Sequence, residues 1–332
     1  HGPTLAFKDV GARFMARCLS YFNQQTKEGI TVLAATSGDT GSAVANGFLG
    51  AEGVQVVLLY PKGKVSPFQE KQMTTLGQNI KALEVEGSFD DCQKLVKTAF
   101  LDKELSQQLG LTSANSINIA RLIPQSFYYF YAYGQLSKLT DKPIVFSVPS
   151  GNFGNLTAGY FAQQMGLPIH HFVASTNVND IVPHYLQTGE FAPKPSIQTI
   201  SNAMDVGNPS NFARLNYLFN TSQEAFAKTV SGTAYTDEET KGALKELQAL
   251  GYTADPHGAV GYLGLKEYQE GNDVVGIFLE TAHPIKFKEV VEPTLGIKLE
   301  IPDSLKVFLE KEKVALSCSA NYEDFKNVLQ IL

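Results

Sequence analysis

Two glycine-containing turns lie where a strand pattern gives way to a helix pattern, a position suited to binding anions. The first occupies residues 147–155, with the sequence SVPSGNFGN. Its two glycines, three residues apart, would let a ligand approach the backbone closely. Backbone N–H groups at the start of the next helix, together with the helix dipole, would attract negative charge. The candidate phosphate-binding residues are Gly151, Asn152, Phe153, Gly154 and Asn155.

An ordinary strand–helix turn is the alternative interpretation, since glycines are common in such turns, and the spacing alone does not decide between the two. The turn lacks the Gly-Lys-Ser/Thr ending of a nucleotide-binding P-loop. It also lacks the Gly-x-Gly-x-x-Gly pattern of dinucleotide-binding folds.

The second turn occupies residues 35–43, ATSGDTGSA, and also follows a strand pattern and opens a helix. Its hydroxyls, carboxylate and glycines could hold a phosphate or a carboxylate with the help of backbone amides. The alternative is simple N-capping of the helix by Ser37, Asp39 or Thr40. One cap accounts for one of these residues and leaves the other hydroxyls, including Thr36, unexplained.

Lys8 opens the first predicted helix, within the segment GPTLAFKD at residues 2–9. The positive end of the helix dipole repels a charged amine there, and Leu5 and Phe7 would partly bury it. Both effects favour a neutral, nucleophilic amine. The alternative is an exposed lysine paired with Asp9, the usual state of a lysine.

Two further segments carry polar groups that could contact a ligand. Within residues 116–121, SINIAR, a helix would place Asn118 and Arg121 on one face, where the arginine could bind phosphate in a bidentate manner. Taken alone, Arg121 is better explained as a surface residue. Residues 279–284, LETAHP, end a predicted strand on a hydroxyl and a histidine, and we interpret His283 as a hydrogen-bonded turn histidine.

The elements around these segments alternate between short apolar strands and amphipathic helices, which predicts an α/β fold with a parallel sheet. The strand patterns are nearly continuous in apolar residues, as expected for strands covered on both faces. The predicted strands are 31–35, 54–60, 80–85, 144–148, 169–174 and 274–279. The predicted helices include 8–25, 117–136 and 237–250, and residues 191–211 form the most loop-like segment.

Composition narrows the classes of function. The chain has 332 residues and a formal net charge of −6, which argues against nucleic-acid binding but allows a small anionic ligand. Three widely spaced cysteines form neither a disulfide framework nor a zinc pattern, so we expect a cytoplasmic protein without a metal. No apolar run has the length of a membrane helix, and no signal-peptide pattern is present.

Taken together, the segments resemble the threonine synthase family. The blocks GPTLAFKD, TSGDTG, GNFGN and TAHP occur in that family's order and extend over essentially the whole chain. The lysine block is the most specific, whereas the glycine block is shared in outline with other enzymes that use pyridoxal 5′-phosphate (PLP). Members of the family carry a further N-terminal segment, and the resemblance implies that this sequence lacks it.

The resemblance implies a two-lobed fold of PLP fold type II, with mostly parallel sheets flanked by helices and a site between the lobes. Residues 1–13, carrying Lys8, would belong to the larger lobe together with residues 136–332. Residues 14–135 would form the smaller α/β lobe.

The resemblance also assigns site residues. Lys8 would attach PLP covalently and act in catalysis, the residues from Gly151 to Asn155 would bind its phosphate, and Thr281 would meet its pyridine nitrogen. A hydroxyl at that nitrogen makes the ring a weaker electron sink than a carboxylate does. Asp39 would lie near the ring hydroxyl. The residues implied to surround the substrate are Thr36, Ser37, Thr40, Ser116, Asn118 and Arg121.

The implied reaction converts O-phospho-L-homoserine and water into L-threonine and phosphate. Two anion-binding turns suit a phosphorylated cofactor and a phosphorylated substrate. The alternative is a related PLP lyase, such as a serine/threonine dehydratase or a phospho-amino-acid phospholyase. We expect the partner to be this small-molecule substrate, with no nucleic acid and no membrane, in a monomer or a homodimer.

Overall fold

A computed structural model describes residues 2–26, 29–115 and 118–332. Contacts within the chain divide it into two compact units. The first consists of residues 1–121 and 301–332, and the second of residues 122–300. Each unit is an α/β structure built on its own parallel sheet.

The first unit contains a five-stranded sheet in the order β4-β1-β2-β3-β9. Its strands are β1 (Ile30–Ala35), β2 (Val54–Pro61), β3 (Ile80–Glu86), β4 (Leu111–Ser113) and β9 (Leu316–Ser319). All the pairings are parallel. The central strands β1 and β2 are buried along almost their whole length, because hydrophobic clusters cover both faces of the sheet.

The second unit contains a four-stranded parallel sheet in the order β7-β6-β5-β8. Its strands are β5 (Ile144–Pro149), β6 (His171–Asn177), β7 (Val230–Tyr235) and β8 (Val275–Phe278). Strands β5 and β6 are buried at every residue. The largest cluster of this unit packs around Tyr129, Phe146 and Phe172.

The helices of the first unit are α1 (Lys8–Thr26), α2 (Asp39–Phe48), α3 (Pro67–Thr74), α4 (Phe89–Leu101), α5 (Lys103–Leu109), α15 (Asp303–Leu309) and α16 (Tyr322–Ile331), and α6 (Ile119–Leu122) ends where the second unit begins. The helices of the second unit are α7 (Phe127–Leu136), α8 (Gly154–Gln164), α9 (Ile181–Thr188), α10 (Phe212–Leu218), α11 (Gln223–Thr229), α12 (Asp237–Ala249), α13 (Pro256–Glu270) and α14 (Lys288–Leu295). Short 3₁₀ turns occupy Ile123–Ser126, Asn202–Met204 and Pro284–Phe287. In the described ranges, no helix combines the length and hydrophobicity needed to cross a membrane.

The predicted α/β class, with parallel sheets flanked by helices, is confirmed. All six predicted strands are present, although β6 starts two residues later than expected. The predicted helix over 117–136 is wrong as a single element: its described part consists of α6, a 3₁₀ turn containing Pro124, and α7. Proline lacks the backbone N–H that a continuous helix requires, which accounts for the break.

Helix α1, predicted over residues 8–25, is confirmed. The apolar residues at a spacing of four in this segment (Val10, Phe14, Cys18 and Phe22) predict one apolar stripe, but this stripe is not the buried face of the helix. Phe14 and Phe22 are 39% and 61% exposed, whereas Ala12, Met15 and Ala16 are buried. The small side chain of Ala12 allows close packing of α1 on α2, where a Cβ on Gly47 would lie 3.1 Å from the carbonyl carbon of Ala12.

The two contact units group the chain differently from the predicted lobes. The prediction joined residues 1–13 with 136–332, whereas contacts place residues 1–121 with 301–332. Strand pairing explains why residues 301–332 group with the first unit. Strand β9 pairs with the edge of β3 in parallel, so that Val85 lies opposite Cys318.

Helix α16 should anchor the C-terminal segment to the first unit through Phe325, which is fully buried. We expect Phe325→Ala to cost about 3–5 kcal/mol, because it removes a large buried ring and leaves a cavity. Ile331→Ala on the same helix, where the side chain is 85% exposed, should change stability by less than about 0.5 kcal/mol. Urea unfolding followed by circular dichroism measures both, and equal effects would contradict this packing.

Candidate functional site

The first unit brings two of the predicted segments to one edge of its sheet. Strands β1 and β4 are parallel neighbours, with Leu33 opposite Ser113, so the segments after their carboxyl ends lie side by side. Asn115 joins these segments: its amide nitrogen donates to the Ala35 carbonyl at 2.7 Å, and its oxygen accepts from the Ala35 N–H at 3.2 Å. The hydroxyl-rich turn and the segment carrying Arg121 are therefore neighbours.

The turn between β1 and α2 is organised by Thr36. Its Oγ1 accepts hydrogen bonds from the N–H groups of Gly38 and Gly41, at 2.9 and 2.7 Å. The N-cap residue Gly38 has a φ of 136°, which favours glycine, and makes no side-chain cap hydrogen bond, so that the side-chain acceptor for the first turn of α2 is Thr36. Capping by Ser37, Asp39 or Thr40, the alternative interpretation of this turn, is therefore wrong. The hydroxyl residues Ser37 and Thr40 are half-buried.

Asp39 is buried in the first turn of α2 and is held by a residue that the sequence interpretation missed. Gln69 Nε2 donates to Asp39 Oδ1 at 3.0 Å, while Gln69 Oε1 accepts from the Ser66 N–H at 3.1 Å. Ser66 and Gln69 form a capping box at the start of α3. Their Ser-x-x-Gln spacing is a recognisable signal for that box, but not for the contact with Asp39.

Lys8 is half-buried at the first residue of α1, with its Nζ 5.8 Å from the centre of the Phe7 ring. The exposed-lysine alternative is therefore wrong. The turn before Lys8 is held by Asp9, which accepts from the Thr4 N–H at 3.0 Å and from Thr4 Oγ1 at 2.6 Å. Leu5 in this turn has a φ of 59°, a strained conformation for a residue with a side chain.

Arg121 lies inside the first unit rather than on its surface, so the interpretation as a surface arginine is wrong. It is 1% exposed, and its guanidinium donates to the Ala114 carbonyl. Burial lowers the pKa of Arg121 to about 10, and the negative charge of Asp9 opposes this shift. A Cβ on Gly11 of α1 would come within 2.5 Å of the Arg121 carbonyl oxygen, so this segment packs against the helix that Lys8 opens.

Asn118 does not share a helix face with Arg121, because α6 begins only at Ile119. Its side-chain oxygen accepts from the Ala120 N–H at 3.0 Å, and its amide donates to the Ser113 carbonyl at 2.8 Å. Asparagine side chains compete with helical hydrogen bonding in this way and favour helix starts. Ser116, another predicted site residue, lies outside the described residues.

The second unit brings the remaining predicted residues to one edge of its own sheet. The glycine turn follows β5 and Thr281 follows β8, and these strands are parallel neighbours with Ser147 opposite Phe278. Thr281 is 7% exposed. Beside it, His283 accepts from the Ile285 N–H at 3.2 Å, which confirms the interpretation as a turn histidine.

The glycine turn has the features of a phosphate cradle. Phe153 has a φ of 59° and precedes α8, whose start has no side-chain cap. The first N–H groups of a helix need partners, and an anion satisfies them. Among the described residues, Asn155 Nδ2 is buried without a hydrogen-bond partner, while Tyr129 donates to Asn155 Oδ1 at 2.9 Å. The N–H groups at the start of α8 and the Asn155 amide are hydrogen-bond donors that suit the phosphate of PLP.

Asn152 connects the glycine turn to the end of the loop over residues 191–211. Its Oδ1 accepts from the N–H and Oγ of Ser210, both at 3.1 Å, and its carbonyl accepts from Asn211 Nδ2 at 3.0 Å. The sequence interpretation flagged the loop but not these contacts. No local pattern relates residues nearly 60 positions apart.

Comparisons with protein families give two matches. The sequence matches the family described as pyridoxal-phosphate dependent enzyme over residues 1–280. It matches the family described as threonine synthase, C-terminal, over residues 258–329.

Several relatives are close in sequence and in structure. The threonine synthase of Haemophilus influenzae is 54% identical over 92% of this chain and 71% of its own length. The Escherichia coli threonine synthase structure superimposes with a TM-score of 0.94 at 48% identity, covering all of this chain and 76% of that one. A PLP-bound threonine synthase from Brucella melitensis gives 0.91 at 36% identity, with the same coverage. Maize serine racemase, at 15% identity and a TM-score of 0.62, shares the fold alone.

The fit of the glycine turn can be tested at Gly151, where a Cβ would lie 2.7 Å from Met204 Cα. We expect Gly151→Ala to weaken PLP binding about tenfold or more, because relieving this clash must move the turn. Gly134→Ala in α7, where a Cβ has open space, is the matched control and should bind PLP normally. Fluorescence titration of PLP into both variants measures the effect, and an unchanged affinity in Gly151→Ala would contradict the assignment.

Proposed function

The chain belongs to the threonine synthase family of PLP-dependent enzymes, and from this premise we propose its reaction. It converts O-phospho-L-homoserine and water into L-threonine and phosphate, the last step of threonine biosynthesis. The enzyme is accordingly a carbon–oxygen lyase acting on a phosphate ester.

One observation carries the choice of a phosphorylated substrate: each unit has a strand–helix turn with the features of an anion site. Helix α2 of the first unit and helix α8 of the second both follow a buried strand, and neither N-cap residue, Gly38 or Phe153, supplies a side-chain acceptor. At α2, Thr36 accepts from one N–H of the first turn, that of Gly41. An uncapped helix start attracts negative charge through its N–H groups and its dipole. One turn would hold the phosphate of PLP, which leaves the other for the substrate.

The cofactor contacts fall mainly in the second unit. The residues from Gly151 to Asn155 would bind the phosphate through backbone N–H groups and the buried Asn155 amide, and Thr281 would meet the pyridine nitrogen. In the first unit, Asp39, held in place by Gln69, would lie beside the ring hydroxyl. When bound, PLP supplies an electron sink for negative charge that develops at the substrate's Cα.

Lys8 would carry the covalent link to the cofactor and move protons during the reaction. Its amine is half-buried beside Phe7, so it can exchange protons with a substrate carbon with little competition from bulk water. Protons would be removed at Cα and then at Cβ before the γ-phosphate leaves. A proton would then be added at Cγ, water would add at Cβ, and a proton would return to Cα, which gives L-threonine. The hydrogen bonds between Asp9 and Thr4 hold the turn before Lys8 and so fix the backbone position from which its side chain extends.

The substrate contacts would come from Thr36, Ser37, Thr40, Ser116, Asn118 and Arg121. Thr36 already accepts two backbone hydrogen bonds and has only its own proton to donate. Ser37 and Thr40 are half-buried at the start of α2 and are the most direct candidates. Arg121 is buried in the first unit, where its positive charge would favour an anion bound at the turn between β1 and α2.

We also propose a cytoplasmic enzyme that works as a monomer or a homodimer. The location is supported by Cys18, Cys92 and Cys318, all of which are free thiols. Thiols remain reduced in the cytoplasm.

The half-buried hydroxyls of Ser37 and Thr40 give the most direct mutational test of whether the turn between β1 and α2 binds the substrate. We expect Ser37→Ala and Thr40→Val each to raise KM for O-phosphohomoserine by about threefold to tenfold, the effect of losing one hydrogen bond. PLP binding should not change, because the cofactor phosphate would sit in the other turn. Ser137→Ala, at the exposed end of α7, is the control. Wild-type kinetics in both turn variants would remove this turn from the substrate site.

These hydroxyls are preferable to Arg121 as a test. Removing Arg121 would leave the buried Asp9 carboxylate without the opposite charge near it, a change that typically costs several kcal/mol. Lost activity in Arg121→Ala could then reflect a damaged fold.

The substrate itself is tested by measuring products from three compounds. We expect phosphate release and threonine formation from O-phospho-L-homoserine, and much slower keto-acid formation from L-serine or L-threonine. Faster turnover of L-serine or L-threonine would instead indicate a dehydratase.

A further inference from the structure

A cluster in the second unit, formed by the buried residues Asp255 and His257 and the half-buried Glu280, has no role in the function proposed above. Asp255 and His257 are 0% and 2% exposed. Burying ionisable groups is costly unless each has a partner, so such a cluster needs a physical explanation. We call these three residues the carboxyl–histidine cluster.

Asp255 caps helix α13 and reaches the strand end that carries Thr281. Its Oδ1 accepts from the backbone N–H of His257 at 2.7 Å and also meets His257 Nδ1. Its Oδ2 accepts from the backbone N–H of Ala282 at 3.2 Å. The carboxylate thus holds the residue that directly follows Thr281.

His257 reaches in another direction, towards the glycine turn. Its Nε2 accepts from the backbone N–H of Ala203 at 3.2 Å. Because Nε2 accepts, the ring proton must lie on Nδ1, where it is donated to Asp255. The next residue, Met204, lies against the glycine turn, since a Cβ on Gly151 would be 2.7 Å from its Cα.

We propose that Asp255 and His257 are positioning residues that fix Thr281 and the Gly151 turn relative to each other. One backbone hydrogen bond connects the pair to Ala282, next to Thr281, and the other connects it to Ala203 in the 3₁₀ turn that packs against Gly151. In this proposal the two residues act through the backbone and not through contact with substrate or cofactor. This inference rests on the proposed function, because it assumes that both segments contact PLP.

Glu280 supports the pair from the other side of the helix start. Its Oε1 accepts from the Asp255 N–H at 2.8 Å, and its Oε2 lies 1.8 Å from where a Cβ on Gly258 would stand, so a side chain at Gly258 would displace the Glu280 carboxyl group. Burial, and then the negative charge of Asp255, raise the pKa of Glu280 well above its usual range. A protonated Glu280 does not repel Asp255, and the pair remains stable beside it.

The test compares variants that break one connection each. His257→Leu removes the acceptor for Ala203, whereas His257→Gln retains a carbonyl oxygen that can accept. We expect His257→Leu to weaken PLP binding about tenfold and to shift the phosphorus NMR signal of bound PLP, and His257→Gln to recover most of both. His170→Leu, an exposed histidine of the same unit, is the control.

Asp255→Asn tests the other connection. The amide retains one oxygen but presents N–H groups where a second oxygen was needed, so either the bond to Ala282 or the bonds to His257 are lost, depending on its orientation. We expect the absorption band of bound PLP to shift, because Thr281 moves relative to the ring. Glu280→Gln, which mimics the protonated acid, should retain the wild-type band and affinity.

Wild-type PLP affinity and spectra in both His257→Leu and Asp255→Asn would overturn the proposal, whatever their activity. So would a His257→Gln variant as impaired as His257→Leu in every readout, because that outcome indicates a packing role. Failure of the proposed function would give a different result. The wild-type enzyme would bind PLP normally and the variants would bind it more weakly, but O-phosphohomoserine would not react with the wild-type enzyme.

Discussion

Parallel strand pairing is the constraint on which the candidate site depends. In each sheet it forces the carboxyl ends of neighbouring strands to the same edge, so that segments far apart in sequence become neighbours. The helices that follow start at that edge with unpaired N–H groups. At α2 and α8 the N-cap residues, Gly38 and Phe153, supply no side-chain acceptor, and at α2 Thr36 accepts from the Gly41 N–H instead. An anion is the natural partner, and each unit offers one such place.

The segments assigned to the candidate site also contain features that lower the stability of the fold. Leu5 and Phe153 adopt a left-handed backbone conformation, one just before Lys8 and the other inside the glycine turn. Each costs on the order of 1–2 kcal/mol and persists only where the surroundings enforce it. Arg121 is buried near Asp9, and the buried amide nitrogen of Asn155 has no hydrogen-bond partner in the part of the chain that the structure describes. Strain and incomplete hydrogen bonding at these places indicate segments shaped for a ligand as well as for folding.

Much of this arrangement could be predicted from local sequence patterns. The apolar runs of β1, β2 and β5 identified the central strands, and the turns after β1 and β5 were recognised by their glycines and hydroxyls. Strand β9 escaped prediction because it is a four-residue edge strand, half-exposed and mixed in polarity. The Asp255–His257 pair escaped as well, although Asp-Pro-His-Gly signals a helix start, because its partners Ala203 and Ala282 are distant in sequence.

The most direct test of the account is the site of cofactor attachment. The purified holoenzyme should be reduced with borohydride, digested and analysed by mass spectrometry. The account predicts a pyridoxyl-phosphate group on Lys8 and no other lysine of the chain. A label on a different lysine, or bound PLP that leaves Lys8 unlabelled after reduction, would contradict it.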